Sequence, residues 1–383
     1  MPAHREPLDI DDYRPTVLII GGGLAASATA LGLARSGVRS LIVERGDDSG
    51  DVVGESIPSS AQPLLFQLGL SGDMEKNGHL PYYANRSAWG GESLDDHDFI
   101  NTPYGYGWHI DRRRFESDLA RLATDSGARR LTRTRVNHWE RCDVDGQIGW
   151  KFSLTTPSST HESIVKFVVD ATGRASWFAR QMGSQPSHDD RMVGLVSFLP
   201  TRTSPDLERV VLVEAVESGW WYTAGLPDER LVTVYFSDAE LIDFPKVREP
   251  DGWMDLVDLT EHTARRINDH GYFLNSPPRT VPAGSSLTGP MFGEGWLAVG
   301  DAAAAYDPVS SYGITSALAG GLQAAQAIKL ALEGDDQGVE NYAAQICSIY
   351  AGYLESRAAY YGMERRWPDS PFWSRRFPKK NSN

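Results

Sequence analysis

A chain of 383 residues carrying 51 acidic against 37 basic side chains, a formal net charge of −14, has room for more than one cored domain and repels anionic polymers, which argues against a nucleic-acid partner. Its two cysteines, Cys142 and Cys347, form no C-x-x-C motif or Cys/His cluster, so neither a disulfide framework nor a metal site is expected, and the expected compartment is cytoplasmic. No stretch approaches the roughly 20 apolar residues of a membrane span, and residues 1 to 14 read as a frayed leader without signal-peptide design.

The first element is an apolar strand from Val17 that breaks at Gly21-Gly22-Gly23 and opens a helix through Leu31, Leu33 and Ala34. In a G-x-G-x-x-G/A pattern, Gly21 allows the turn, Gly23 lets backbone N–H groups approach a pyrophosphate, and Ala26 lets helix pack on strand. Gly37 can end the helix. Val38 to Val43 form a second strand closed by Glu44, at the spacing of a ribose 2′-OH partner. Leu24, Ala25 and Arg45 flank these positions and are counted with the nucleotide site. The polar loop Gly50 to Ser60 follows, in which Glu55 or Ser56 could face a ligand, then a helix from Gln62 to Leu70 and a turn holding Lys76.

Residues 81 to 111 alternate aromatic and polar positions, among them Tyr82, Trp89, Phe99, Tyr104 and Trp108. Such half-buried strands either line a flat aromatic pocket or form core. His109, near Asp111 in this stretch, is a catalytic candidate. Asp111 is a plausible N-cap for a helix to Gly127, and one arginine of its first turn, Arg112, can reach a phosphate. Strands around Leu131 to Val136, Trp150 to Leu154 and Ile164 to Val169 lead to Asp170-Ala171-Thr172-Gly173-Arg174, a strand-to-glycine turn where α/β sheets bind ligands.

From Met192 to Phe236 four strands run without helical crossovers, which predicts a separate antiparallel sheet, completed by a helix around Trp253 to Asn268. Trp220-Trp221-Tyr222 would give one face to its core and the other to an aromatic substrate. The chain then returns to the first domain through the short strand Gly295 to Asp301. A long helix follows, beginning at Gly313-Ile314 and running to Leu332. Asp301 can bond a ribityl hydroxyl, while Gly313 and Ile314 present free N–H groups and a positive helix end. A last helix, Tyr342 to Trp367, precedes Phe372, Trp373 and a basic tail from Arg375-Arg376 through Lys379-Lys380, a segment that either locks onto the core or docks a protein.

VLIIGGGLAAS, Glu44, the GES loop, DRRRF, DATGR and GDAAAAYDPVSSYGI, in this order, resemble the FAD-dependent monooxygenase superfamily of the para-hydroxybenzoate hydroxylase fold, on its flavin-dependent halogenase-like branch. The resemblance covers roughly residues 15 to 335. Within that branch SAWG at Ser87 to Gly90, YGWHIDR and YYGMERRWPDSPFW are most similar to LodB-like flavoproteins, which mature cysteine-tryptophylquinone oxidases by oxygenating a tryptophan of a precursor protein.

The implied fold is α/β (α+β), a Rossmann-like FAD-binding domain with an inserted antiparallel-sheet substrate domain and a C-terminal helical segment. Residues 15–80, 111–185 and 286–335 would form the first, 81–110 and 186–285 the second, and 336–383 the third. The resemblance implies FAD on Gly21, Gly23, Ala26 and Glu44, with Arg112 and Asp301 as further contacts. It also implies transfer of oxygen from a flavin C4a-hydroperoxide to an electron-rich ring. The electrons would come from a reduced nicotinamide or a separate flavin reductase.

Three departures bear on the chemistry. The essential lysine of tryptophan halogenases has no counterpart except Lys76, a poor candidate. Their Trp-x-Trp-x-Ile-Pro signature survives at best as Trp220-Trp221-Tyr222 followed by Leu226-Pro227. Tyr312 stands where a small residue would leave room for halide. Halogenase, prenyl-chain reductase and non-catalytic flavin binder are therefore the alternatives, and Tyr312 and His109 are the catalytic candidates.

Overall fold

The computed structural model describes residues 13–47, 50–206 and 208–377; the expectations for residues 1 to 12 and for Lys379 and Lys380 lie outside them. At its centre the strand Val17–Ile20 pairs in parallel with Ser40–Val43 on one side and Phe167–Asp170 on the other. Arg129–Leu131 extends the sheet beyond the former and Trp296–Ala298 beyond the latter, with Phe292–Gly293 as an antiparallel edge. The three central strands are apolar runs buried along nearly their whole length, as parallel strands covered on both faces must be.

Two helices rich in small residues, Leu24–Arg35 and Gly313–Leu332, pack together against this sheet. Their approach is so close that a methyl group on Gly321 would stand 2.8 Å from the Ala25 carbonyl oxygen. A meander of Arg135–Val144, Gln147–Thr155 and Thr160–Val165 adds Trp150, Phe152 and Leu154 to the same core.

A seven-stranded sheet forms the second body, in the order Arg279–Pro282, Met192–Leu199, Leu231–Asp238, Gly219–Gly225, Val210–Val216, Ala84–Ala88, Asp95–Asp98. It is not wholly antiparallel, as its sequence pattern predicts, because Ala84–Ala88 enters beside Val210–Val216 in parallel register. Both faces are covered. Neighbouring residues divide between them: Trp220 and Phe236 enter one apolar cluster, Trp221 and Tyr235 the other.

The predicted helix over Trp253 to Asn268 is two helices, Pro250–Val257 and His262–Asp269. The break has a cause in Glu214. Its carboxylate reaches up from the sheet and accepts the N–H groups of Glu261, His262 and Thr263 at 2.7, 3.1 and 2.7 Å, starting a new helix there.

The last long helix is Gln337–Met363, four residues shorter at its end than the pattern suggests. Beyond it Glu364 accepts the Gly90 N–H at 2.8 Å and holds Arg366 at 2.7 Å. Phe372 and Trp373 are completely buried against the seven-stranded sheet, and the Trp373 indole donates to the Val216 carbonyl at 2.9 Å. Arg376 pairs with Asp238 at 2.6 Å and lies 3.7 Å from the Phe372 ring centre; Arg375 reaches the same carboxylate at 2.9 Å. This segment is thus a clasp that completes the core, and the expectation of a protein-docking surface built on Phe372 and Trp373 is corrected by their burial. Among the described residues no helix is long and apolar enough to cross a membrane.

Candidate active site

The glycine turn is held by backbone contacts. Gly21 has a φ of +108°, and a side chain on it would strike the Ala171 carbonyl oxygen at 2.2 Å, so the first strand can turn this close to the end of its neighbour only as glycine. Glu44 ties the two strand ends together: its oxygens accept the Gly22 and Gly46 N–H groups, each at 2.7 Å. Ala26 is fully buried beneath the turn and Arg45 is exposed beside it.

The helix beginning at Leu24 has neither a side-chain cap nor an acidic residue in its first turn, and the same holds for the helix beginning at Gly313. Both N-termini border one cavity of about 400 Å³, with Gly23, Leu24 and Ala25 on one side and Gly313 and Ile314 on the other. Two unsatisfied, positively polarised helix ends facing one hollow suit a ligand with a pyrophosphate and a second electron-rich edge, which is the donor pattern FAD requires.

Arg112 and Asp301 also line this cavity. Arg112 is held by Glu116 at 2.9 Å and by the Val53 carbonyl at 3.0 Å. Asp301 lies 3.4 Å from Arg174, a lining residue present in the DATGR motif but given no role by sequence reasoning.

The opposite wall comes from the seven-stranded sheet: Tyr222, Val234, Phe236 and Val281. Of the Trp220-Trp221-Tyr222 run, whose substrate-facing side the sequence leaves open, Tyr222 lines the cavity, while Trp220 and Trp221 are core. Behind Tyr222 runs a hydrogen-bond chain drawn from three strands, in which Ser56 Oγ lies 2.7 Å from the Tyr222 hydroxyl and 3.0 Å from His109 Nδ1. His109 is buried, stacked on Tyr82 at 4.5 Å, and burial pushes its imidazole down to about 3, so it is neutral. Its Nε2 has no partner among the described residues. Protonation on Nδ1 spares the protein a buried, unsatisfied N–H and sets the chain's protons running from His109 through Ser56 to Tyr222, leaving the phenol O–H free for the cavity.

Glu55 lines the cavity one residue away. It is almost wholly buried, its Oε1 has no partner among the described residues, and desolvation pushes its carboxyl up to about 7.

The structure therefore brings Gly23, Leu24, Ala25, Glu55, Ser56, Arg112, Asp301, Gly313 and Ile314 to one hollow, with Gly21, Ala26, Glu44 and Arg45 in the turn behind it. His109 and Tyr312 do not line it. His109 is reached through Ser56, and its neighbour Asp111 caps the following helix through the Arg114 N–H instead of tuning the imidazole. Tyr312 stands half exposed with its ring 6.0 Å from that of Tyr306. The aromatic residues of 81 to 111 are likewise absent from the cavity wall; Tyr82, Phe99 and Trp108 are core. No described lysine lines the cavity, and Lys76 is 78% exposed beside Asp73.

The FAD binding domain family matches residues 14–351. The chain is 29% identical over 365 residues to LodB of Marinomonas mediterranea, described as an FAD-dependent oxidoreductase, covering 94% of this chain and 96% of that one. It is 27% identical over 330 residues to the tryptophan 2-halogenase of Chondromyces crocatus, covering 83% of this chain and 62% of that one. Two solved structures share the fold. The myxobacterial chondrochloren halogenase CndH has a TM-score of 0.84 at 22% identity, over 96% of this chain and 86% of that one. QhpG, a peptidyl tryptophan dihydroxylase essential for tryptophylquinone cofactor biogenesis, has a TM-score of 0.68 at 23% identity, over 95% and 79%. With the family match spanning most of the chain and the cavity presenting the donors FAD requires, the protein belongs to the FAD-binding-domain family and is an FAD-dependent oxidoreductase.

Proposed function

We propose that the protein is a monooxygenase that places one oxygen atom on an electron-rich indole, the side chain of a tryptophan in a precursor protein during tryptophylquinone formation. The observation that carries oxygenation is the cavity wall, which offers aromatic and aliphatic surface with two phenols, Tyr222 and Tyr306, and, among the described residues, no lysine. Tryptophan as the target is supported by relatives whose names specify it, a tryptophan 2-halogenase and a peptidyl tryptophan dihydroxylase.

Bound FAD, once reduced and met by O₂, supplies the oxygen-transfer chemistry. The protein's residues do the rest. The N–H groups after Gly23 would hold the pyrophosphate and Glu44 the ribose. Those at Gly313 and Ile314 would stabilise negative charge on the ring system. Val234, Phe236 and Val281 exclude water and give a planar ring a flat surface, while Tyr222, fixed by Ser56, orients it. Electrons come from a separate flavin reductase or from a reduced nicotinamide in transient contact, since the chain has no second dinucleotide fingerprint.

A second reading, halogenation, is favoured by the match to the tryptophan 2-halogenase. Mass spectrometry of an indole-bearing precursor peptide and of free indole, incubated with reduced FAD and ¹⁸O₂ with and without bromide and chloride, separates the two. Incorporation of ¹⁸O regardless of halide is expected; a product that needs halide and lacks ¹⁸O establishes the halogenase instead.

A further inference from the structure

We propose that Glu55 is a proton carrier, the group through which a proton passes from a water-facing pocket into the reaction cavity at each turnover. This rests on the oxygenase reading above. Two hollows meet at Glu55. The inner one is the cavity already described. The outer one, of about 190 Å³, is rimmed by the charged groups Asp51, Asp111, Arg113, Asp228 and Arg230. Its Arg230–Asp51 pair, at 2.9 Å, leaves the two side chains 31% and 44% exposed.

Glu55 and Arg112 are the two residues that line both hollows. Arg112 cannot serve, because a guanidinium does not give up its proton in a protein and this one is fixed on Glu116 and Val53. Glu55 remains as the titratable group of the partition, 3% exposed and with Oε1 unpartnered.

The charged and polar groups that face it are few. Arg112 and Arg279 oppose the desolvation, the latter bonded to the Asp51 carbonyl at 2.8 Å; the backbone N–H groups of Gly54 and Glu55 steady the carboxylate; the Tyr222 phenol stands on the cavity side. With both guanidiniums committed elsewhere, no ion pair among the described residues pins the carboxylate in its charged form. An acid poised near neutrality both gives a proton and regains one at working pH.

The stoichiometry calls for a proton at the reaction cavity. With flavin as its reduced anion, the turnover is RH + O₂ + FADH⁻ + H⁺ → ROH + H₂O + FAD, so one proton must reach the reacting oxygen at each turnover, in a cavity whose open volume FAD and the substrate would occupy. Glu55 gives its proton on the cavity side to the oxygen that departs as water, and the carboxylate takes another from water in the outer pocket.

Infrared difference spectroscopy of the FAD-loaded protein tests the assignment without turnover. A protonated-carboxyl carbonyl band that titrates near neutrality in the wild type and is missing in Glu55→Gln is expected; a wild type lacking it overturns the proposal. Glu55→Gln should keep FAD affinity within about threefold and lose ¹⁸O product formation by about a hundredfold or more, and turnover at the wild-type rate overturns the carrier role. If the amide variant does not fold, Glu55→Asp decides: it keeps an acid at a longer reach, so its turnover should slow with a larger solvent isotope effect, and an unchanged isotope effect overturns the proposal. A wild type that shows the band but yields no ¹⁸O product overturns the oxygenase reading, and with it the carrier's task.

Discussion

The glycine turn and the wall that faces it across the cavity are built by opposite means. The turn is made of backbone groups and small side chains drawn largely from one short run, Val17 to Gly46, and closes against the Ala171 carbonyl of the neighbouring strand end. The wall and the clasp behind it are made of large side chains brought together over long separations: 166 positions between Ser56 and Tyr222, 157 between Val216 and Trp373. A site of the first kind is specified locally and, at Gly21, tolerates no added atom. A site of the second kind is specified by the whole fold and fails when a distant support is removed.

Substitutions that strike one region and spare the other sharpen this contrast. The largest effect is expected from Trp373→Ala, which empties a fully buried indole site and strands the Val216 carbonyl. A loss of about 3–5 kcal/mol in denaturant unfolding is expected, and a loss below about 1 kcal/mol would mean that the clasp is ornamental.

Next is Glu55→Gln, read as stability against pH. Burial raises the wild-type carboxyl from 4.5 to about 7, so its protonated form favours the folded state. That contribution is complete below pH 4.5 and is lost as pH rises through 7. The amide does not titrate, and its stability relative to wild type should improve across this window by about 3 kcal/mol. A flat difference between about pH 5 and 8 would show that the carboxyl titrates normally.

On the cradle side, Glu44→Ala should weaken FAD binding by about 1–3 kcal/mol, measured by flavin fluorescence quenching, with a smaller change in unfolding than Trp373→Ala. Ser56→Ala leaves His109 Nδ1 and the Tyr222 hydroxyl without their shared partner; a cost of about 1–2 kcal/mol in stability and a rise in KM for the indole substrate are expected, while equal KM values would remove Tyr222 from substrate orientation. Lys76→Ala, at an exposed turn, should change stability by less than about 0.5 kcal/mol and product formation not at all. Loss of product in that variant with FAD retained would restore the halogenase reading.

The same contrast decides what could be read in advance. The strands, the turn and the helix Gly313–Leu332 follow from apolar runs broken by glycine, signals contained within about ten residues each. The Tyr222–Ser56–His109 chain has no such signal. His109 invites pairing with Asp111, its sequence neighbour, whereas strand pairing sets it opposite Ser56. Parallel entry of Ala84–Ala88 into the second sheet and the helix break imposed by Glu214 likewise depend on partners more than 40 positions away. The clasp is the plainest case, because a tail rich in aromatics and arginines has the same composition whether it binds another protein or folds back on its own sheet.

The clasp also sets an order of assembly. As the chain emerges from the ribosome, the strands carrying Val196, Trp220 and Phe236 are made well before the segment that covers them. Until Phe372, Trp373 and Arg376 arrive, that face is an open apolar surface, and any nascent chain stalled before them presents an adhesive sheet to its neighbours and a ready target for chaperones.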